Sequence, residues 1–186
     1  MRLRENLFPF PEGRPLGALG GASLIAEAHT PYIRKKLPPE AFALLCYCLM
    51  PNHFHFIIKQ NTVLPISKLI AKVCTSYSMY FNKKYQKVGN LFQNKFKAVL
   101  ITNDEQLMWT SAYIHNNPKT AEIVKDLKDY PWSSYLDYIG KRQGTMCDKD
   151  FILKMFKNVS EYEKFVSDSF DVISTRKEIA HLLLDN

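Results

Sequence analysis

Ala43-Leu44-Leu45-Cys46-Tyr47-Cys48-Leu49-Met50-Pro51-Asn52-His53-Phe54-His55-Phe56-Ile57-Ile58-Lys59 is the stretch from which the fold is read. Residues 43–50 form an almost unbroken apolar run of strand length, as expected of a buried strand. Pro51-Asn52 is a turn signal, and residues 53–59 read as a second strand, so the stretch predicts a tight hairpin. Side chains alternate faces along a strand, which points His53 and His55 one way and Phe54 the other. Two imidazoles on successive same-face positions can share one metal ion, and Phe54 and Phe56 are expected to anchor the strand to the core on the opposite face. Alone, His-x-His is equally the pattern of two surface histidines on a half-exposed strand. A histidine-triad hydrolase would need a third histidine at the next alternate position, which is Ile57. A zinc hydrolase would need a third strong ligand; no acid lies nearby, and His115 is a distant candidate.

Pro65 can open a helix, because its missing N–H costs nothing in the first turn. Ile66, Leu69, Ile70, Val73, Tyr77, Tyr80 and Phe81 follow helical spacing and are expected to form its buried face. The helix should fray near Lys87 and end at Gly89. Residues 95–101 alternate in part and predict a further strand with Lys95 and Lys97 on an outer face. Thr102 followed by Glu105 matches a capping box. The helix it opens should stop at Asn116 or Asn117, since Pro118 disfavours helical geometry in the residue before it. Residues 130–135 are an aromatic segment expected to pack on the core, and the tail from Asp148 reads as helical. Residues 1–40 are broken by proline and glycine, with at most a short helical piece at 22–28. The order hairpin, helix, strand, helix predicts an α+β fold, an antiparallel sheet with helices on one face. The expected divisions are an irregular segment 1–40, a core 41–140 and a helical tail 141–186.

Charge suggests the partner. The net charge is +7, and no Asp or Glu occurs between Glu40 and Asp104, an interval holding Lys59, Lys68, Lys72, Lys83, Lys84, Lys87, Lys95 and Lys97. Such a stretch attracts a polyanion, and the interleaved tyrosines and phenylalanines favour nucleic acid over a merely solvated lysine face. Hydrophobic residues make up 46% of the chain, so wholesale disorder is not expected. No apolar run approaches bilayer length, no secretory signal is evident, and the four cysteines read as free thiols, which suits the cytoplasm.

Tyr113 and Asn117 are four apart and share a helix face. Asn117 offers a neutral amide oxygen suited to Mg²⁺ or Mn²⁺. If this face meets the histidine strand, the ion gains a third ligand beside a phenol. A phenol titrates near pH ~10 and needs help to attack a phosphate, which a divalent ion can supply by polarising the phosphoryl oxygen. Tyr77, Tyr80 and Tyr85 rival Tyr113 as nucleophile on spacing alone, and a core aromatic is the plainer reading of any of them.

Several motifs occur together in order: Met50-Pro51-Asn52-His53-Phe54-His55, then Tyr80-Phe81-Asn82, then Gly89-Asn90-Leu91-Phe92-Gln93-Asn94-Lys95-Phe96-Lys97, then Tyr113-Ile114-His115-Asn116-Asn117-Pro118, then Tyr130-Pro131-Trp132-Ser133-Ser134-Tyr135. Over roughly residues 43–140 this resembles the REP-associated tyrosine transposases, within the insertion-sequence group of single-tyrosine HUH transposases. The resemblance implies a ferredoxin-like or RRM-like core with the histidine pair on a sheet strand. It implies Tyr113 as nucleophile, His53, His55 and Asn117 as ligands of Mg²⁺ or Mn²⁺, and single-stranded or hairpin DNA as substrate. The basic surface expected of such a protein would comprise Lys68, Lys72, Lys83, Lys84, Lys87, Lys95 and Lys97. Residues 1–40 depart from the family, which opens with a strand; residues 7–10 and 23–25 are where one could lie. The alternative expectation is a catalytically impaired nucleic-acid-binding protein of the same fold, and either form could be a monomer or a homodimer.

Overall fold

A computed structural model describes residues 36–175 of the chain. The candidate strands at 7–10 and 23–25 and the helical piece at 22–28 lie outside them. Strands β1 (Phe42–Leu49) and β2 (Phe54–Gln60) form an antiparallel hairpin, followed by helices α1 (Ile66–Tyr85), α2 (Asp104–Thr120), α3 (Tyr135–Tyr138), α4 (Asp150–Leu153) and α5 (Val159–Thr175). The fold is α+β, a two-stranded antiparallel sheet with several helices among the described residues, consistent with a ferredoxin-like core.

The hairpin closes through Met50 N–H donating to the His53 carbonyl at 2.8 Å. Cys48 pairs with His55 and Cys46 with Ile57, and a bulge between Leu44 and Cys46 inserts one extra residue into β1. Leu45 and Cys46 are consequently both buried. Paired residues share a face, so the cysteines, His55 and Ile57 all look towards α2. That face carries the main core, with Ala112, Tyr113 and Ile114 from α2 and Tyr162 and Val166 from α5. Phe54 and Phe56 lie on the other face, only half-buried, stacked on each other at 4.6 Å, with Phe54 edge-on to Phe92 at 6.0 Å. The histidine face is therefore the packed one, the reverse of what their size suggested.

The outer edge of β1 is occupied by the aromatic segment near residue 132. Leu49 N–H donates to the Trp132 carbonyl and Ser134 N–H to the Tyr47 carbonyl, each at 2.9 Å. Tyr130 hydroxyl donates to the Leu49 carbonyl at 2.6 Å, and Ser134 Oγ accepts from Tyr47 N–H at 2.9 Å. Arg142 ties the same segment down, donating to Asp137, to the Pro131 and Ser133 carbonyls and to the Tyr47 hydroxyl.

Four local expectations are corrected. Residues 95–101 form no strand: no described strand lies alongside to pair with them, Val99 and Leu100 are exposed, and an unpaired extended segment has no ladder to hold it. The buried stripe of α1 runs Ile70, Cys74 and Phe81 with Tyr77 half-buried, while Val73 and Tyr80 are exposed. Among the described residues, Phe81 and Tyr77 of this stripe cluster with Leu91 and Phe92. The N-cap of α2 is Asn103, not Thr102: its side chain accepts from Gln106 N–H at 2.8 Å, and Gln106 reaches back to Thr102 N–H at 2.9 Å. Finally, α2 runs through Pro118 to Thr120. Ile123 N–H donates to the Pro118 carbonyl at 2.9 Å, and burial of Pro118 offsets the backbone bond its ring forfeits.

Candidate active site

His53 sits at the turn and His55 on β2, and their rings meet edge to face with centroids 4.8 Å apart. Alternation along the strand therefore does bring the two imidazoles together. His53 Nδ1 lies 2.6 Å from Asn52 Oδ1. An amide oxygen can only accept, so Nδ1 is the donor and the bond orients the ring. Asn52, singled out in the sequence only as a turn residue, thus has a second duty; a hydrogen-bonding side chain next to the first histidine was the available signal.

His55 is 8% exposed. Burial, with a smaller contribution from neighbouring His53, pushes its titration down to about 3, and the Asn117 side chain offsets this only slightly. The ring is neutral at ordinary pH, yet its Nε2 is buried without a hydrogen-bond partner among the described residues. The Asn117 side chain lies close enough to bias the ring without supplying a well-aligned bond. A buried unpaired nitrogen is uncommon and costs about 1–3 kcal/mol.

The helix supplies the other two groups. Tyr113 meets His55 edge to face at 5.9 Å. One turn on, Asn117 is buried, and its Nδ2 donates to the Tyr113 carbonyl at 2.9 Å. That bond fixes the amide, so Oδ1 is the end left to face outward from the helix. Both residues are presented by α2 because the helix continues beyond Asn117, which holds the i to i+4 relation rigid.

The donor set is two imidazoles, that of His55 neutral, and one amide oxygen. Among the described residues no group of three His, Cys, Asp or Glu could hold an ion. The orphaned Nε2 of His55 suits such an ion.

His115 plays a different part. It is fully buried, with Nδ1 2.8 Å from the Tyr162 hydroxyl and Nε2 2.8 Å from Ser134 Oγ and 3.3 Å from Cys46 Sγ. It joins α2, α5 and β1 on a side of the helix away from Tyr113, and is a core residue with its hydrogen bonds met. Tyr77, Tyr80 and Tyr85 all lie on α1; Tyr113 is the tyrosine beside the histidines. Of the basic residues, Lys68, Lys72, Lys83 and Lys84 lie on α1, and Lys87, Lys95 and Lys97 on the stretch after it; all but half-buried Lys72 are exposed.

This combination, a histidine pair on a strand against a helix bearing tyrosine and asparagine in an α+β fold, defines a class of site. The family of IS200-like transposases has a model that matches residues 23–117, just over half of the chain. The chain belongs to that family. A protein of Haemophilus influenzae that carries the name "Putative REP-associated tyrosine transposase" is 27% identical over 106 residues, covering 50% of this chain and 59% of the relative. The chain thus spans about three-fifths of the length of that relative. No solved structure matches it significantly. No helix among the described residues is long and apolar enough to cross a membrane.

Proposed function

We propose that the chain cuts and rejoins DNA strands through Tyr113, with His53, His55 and Asn117 holding Mg²⁺ or Mn²⁺. The observation that carries this reading is the meeting of Tyr113 with a buried, neutral His55 whose Nε2 has no hydrogen-bond partner among the described residues. The ion would supply Lewis-acid polarisation of a phosphoryl oxygen. Tyr113 Oη attacks the phosphorus, the bond to the 3′ oxygen breaks, and the DNA 5′ end is held as a phosphotyrosine while a 3′-hydroxyl is released. The phenol proton passes to the solvent or to the departing 3′ oxygen. The phosphodiester energy is conserved in the adduct, so a 3′-hydroxyl can reverse the step without ATP. His53, fixed by Asn52, and Asn117, fixed by the Tyr113 carbonyl, act by holding their donor atoms in place. Lys68, Lys72, Lys83, Lys84, Lys87, Lys95 and Lys97 bind phosphates of the strand, single-stranded or folded into a hairpin.

The test is incubation of a single-stranded hairpin oligonucleotide with Mn²⁺ and analysis for a denaturant-resistant protein–DNA adduct. Wild type should form it, and Tyr113→Phe should not; an undiminished adduct in that variant overturns the assignment. A binding-only protein of the same fold would give salt-sensitive binding with no adduct in wild type either.

A further inference from the structure

Tyr80 and Tyr85 are 57% and 39% exposed, whereas every other described tyrosine is buried or half-buried. They lie near the C-terminal end of α1. The Lys84 ammonium stands 5.6 Å from the Tyr80 ring centre and 5.4 Å from that of Tyr85. Neither ring is loose. Tyr85 rests on buried Phe81 at 4.5 Å, and Tyr80 leans on Tyr77 at 6.5 Å. Phe81 and Tyr77 belong to the small cluster with Leu91 and Phe92, so the rings are braced from beneath. Around them Lys83 and Val88 are also exposed, and the acid-free interval supplies no carboxylate of its own.

The occupant of this surface must offer flat π faces and negative charge together. A second copy presenting the same patch would set lysine against lysine, which disfavours a symmetric pairing. Duplex DNA offers phosphates but hides its base faces in the stack. An unpaired strand offers both, and aromatic rings interleaved with lysines are the usual means of holding one.

We infer that Tyr80 and Tyr85, with Lys84 between them, form a stacking platform for unpaired bases of the DNA strand. The inference rests on the reading that this chain works on DNA, and it adds a site on α1 separate from the Tyr113 centre. Lys84 sets an exposed cation beside both rings, available to a phosphate of the stacked strand.

The experiment measures binding of the full chain to a fluorescent 20-nucleotide oligo(dT) and to a blunt 20-base-pair duplex. The double variant Tyr80→Ala/Tyr85→Ala should lose about 5- to 100-fold in oligo(dT) affinity for each ring removed, the fold-change expected from one stacked base. Its duplex affinity should stay within about two-fold, because phosphate contacts carry that binding. Tyr80→Phe/Tyr85→Phe should bind oligo(dT) as wild type does, since the ring face and not the hydroxyl is used. Photocrosslinking to 5-iododeoxyuridine should map to Tyr80 or Tyr85. The proposal is overturned if the alanine variant keeps its oligo(dT) affinity, if both DNAs are lost equally, or if sedimentation shows that the variant breaks up a wild-type dimer. Failure of the strand-transfer reading looks different: no adduct in wild type, with the two rings still needed for oligo(dT).

Discussion

Acid should unfold this protein through His115, and the size of the effect follows from its surroundings. The ring is fully buried among Tyr135, Tyr138 and Tyr162, with centroids 5.4, 5.0 and 6.0 Å away. Burial pushes its titration down to about 3, with only a small opposing pull from Asp137. In the unfolded chain it titrates near the ordinary ~6.5. The unfolded state therefore binds the proton first. The stability contributed by the neutral ring is complete above pH ~6.5 and is lost progressively as pH falls towards 3. The slope is about 1.4 kcal/mol per pH unit, so lowering the pH from 7.5 to 5 costs about 2 kcal/mol from this residue. His55 contributes in the same direction. Comparing wild type with His115→Gln, both in EDTA, removes that common contribution. Urea unfolding at pH 7.5, 6, 5.5 and 5 should give a wild-type minus variant difference that shrinks by about 2 kcal/mol across the series. A difference that stays flat refutes the reasoning. Should the variant fail to fold, NMR titration of the wild-type imidazole decides it: the ring should show no titration above about pH 4, and an ordinary midpoint near 6.5 would sink the idea.

Tyr162→Phe removes the hydroxyl that meets His115 Nδ1 and Ser111, and should cost about 1–3 kcal/mol in urea unfolding by leaving a buried nitrogen unpaired; a change below about 0.3 kcal/mol would contradict the network. Burial raises the Asp137 carboxyl, but Arg142, Gly144 and Lys149 together hold it below the ordinary range. Arg142→Met should therefore cost about 2–3 kcal/mol, less than a fully buried pair because the arginine is one-third exposed, and should lower Tm. A Cβ at position 144 would lie 2.6 Å from Asp137 Cγ, so Gly144→Ala should destabilise by displacing the same carboxylate, and a crystal structure of the variant with that pair unmoved would count against this. Chelation by EDTA should abolish the Tyr113 adduct and Mn²⁺ restore it, while Asn117→Ala should raise the Mn²⁺ concentration needed for half-maximal adduct; equal adduct yield with and without chelator would remove the ion from the reading.

The hairpin and the grouping of the candidate site residues were legible because they rest on local rules. Period-two alternation put His53 and His55 on one face, and helical spacing put Tyr113 and Asn117 on another. What local rules could not supply was which face of β2 would be packed, because that depends on α2 and α5, distant in sequence. Phe54 and Phe56 looked like anchors by size alone, yet the core formed over Ile57 and His55. The assignment of residues 95–101 failed for a related reason: a strand is defined by its neighbour, and partial alternation of Phe96, Ala98 and Leu100 says nothing about whether one is there. Pro118 misled because its local preference was overridden by complete burial. His115 could not be told from a ligand in the sequence, since its partners Ser134, Tyr162 and Cys46 come from three separate elements.

The segment that runs along β1 has a consequence for how the molecule behaves in a crowded solution. A bare sheet edge invites any other extended chain to add itself as the next strand. Here the donors of Tyr47 and Leu49 and their carbonyls are already taken by Ser134, Trp132 and Tyr130. Because Arg142 clamps that cover, loosening it should first appear as a gain in sticky, self-associating material, before any loss of helix. The side of the hairpin away from the histidines is thereby protected against misassembly by a piece of non-strand chain.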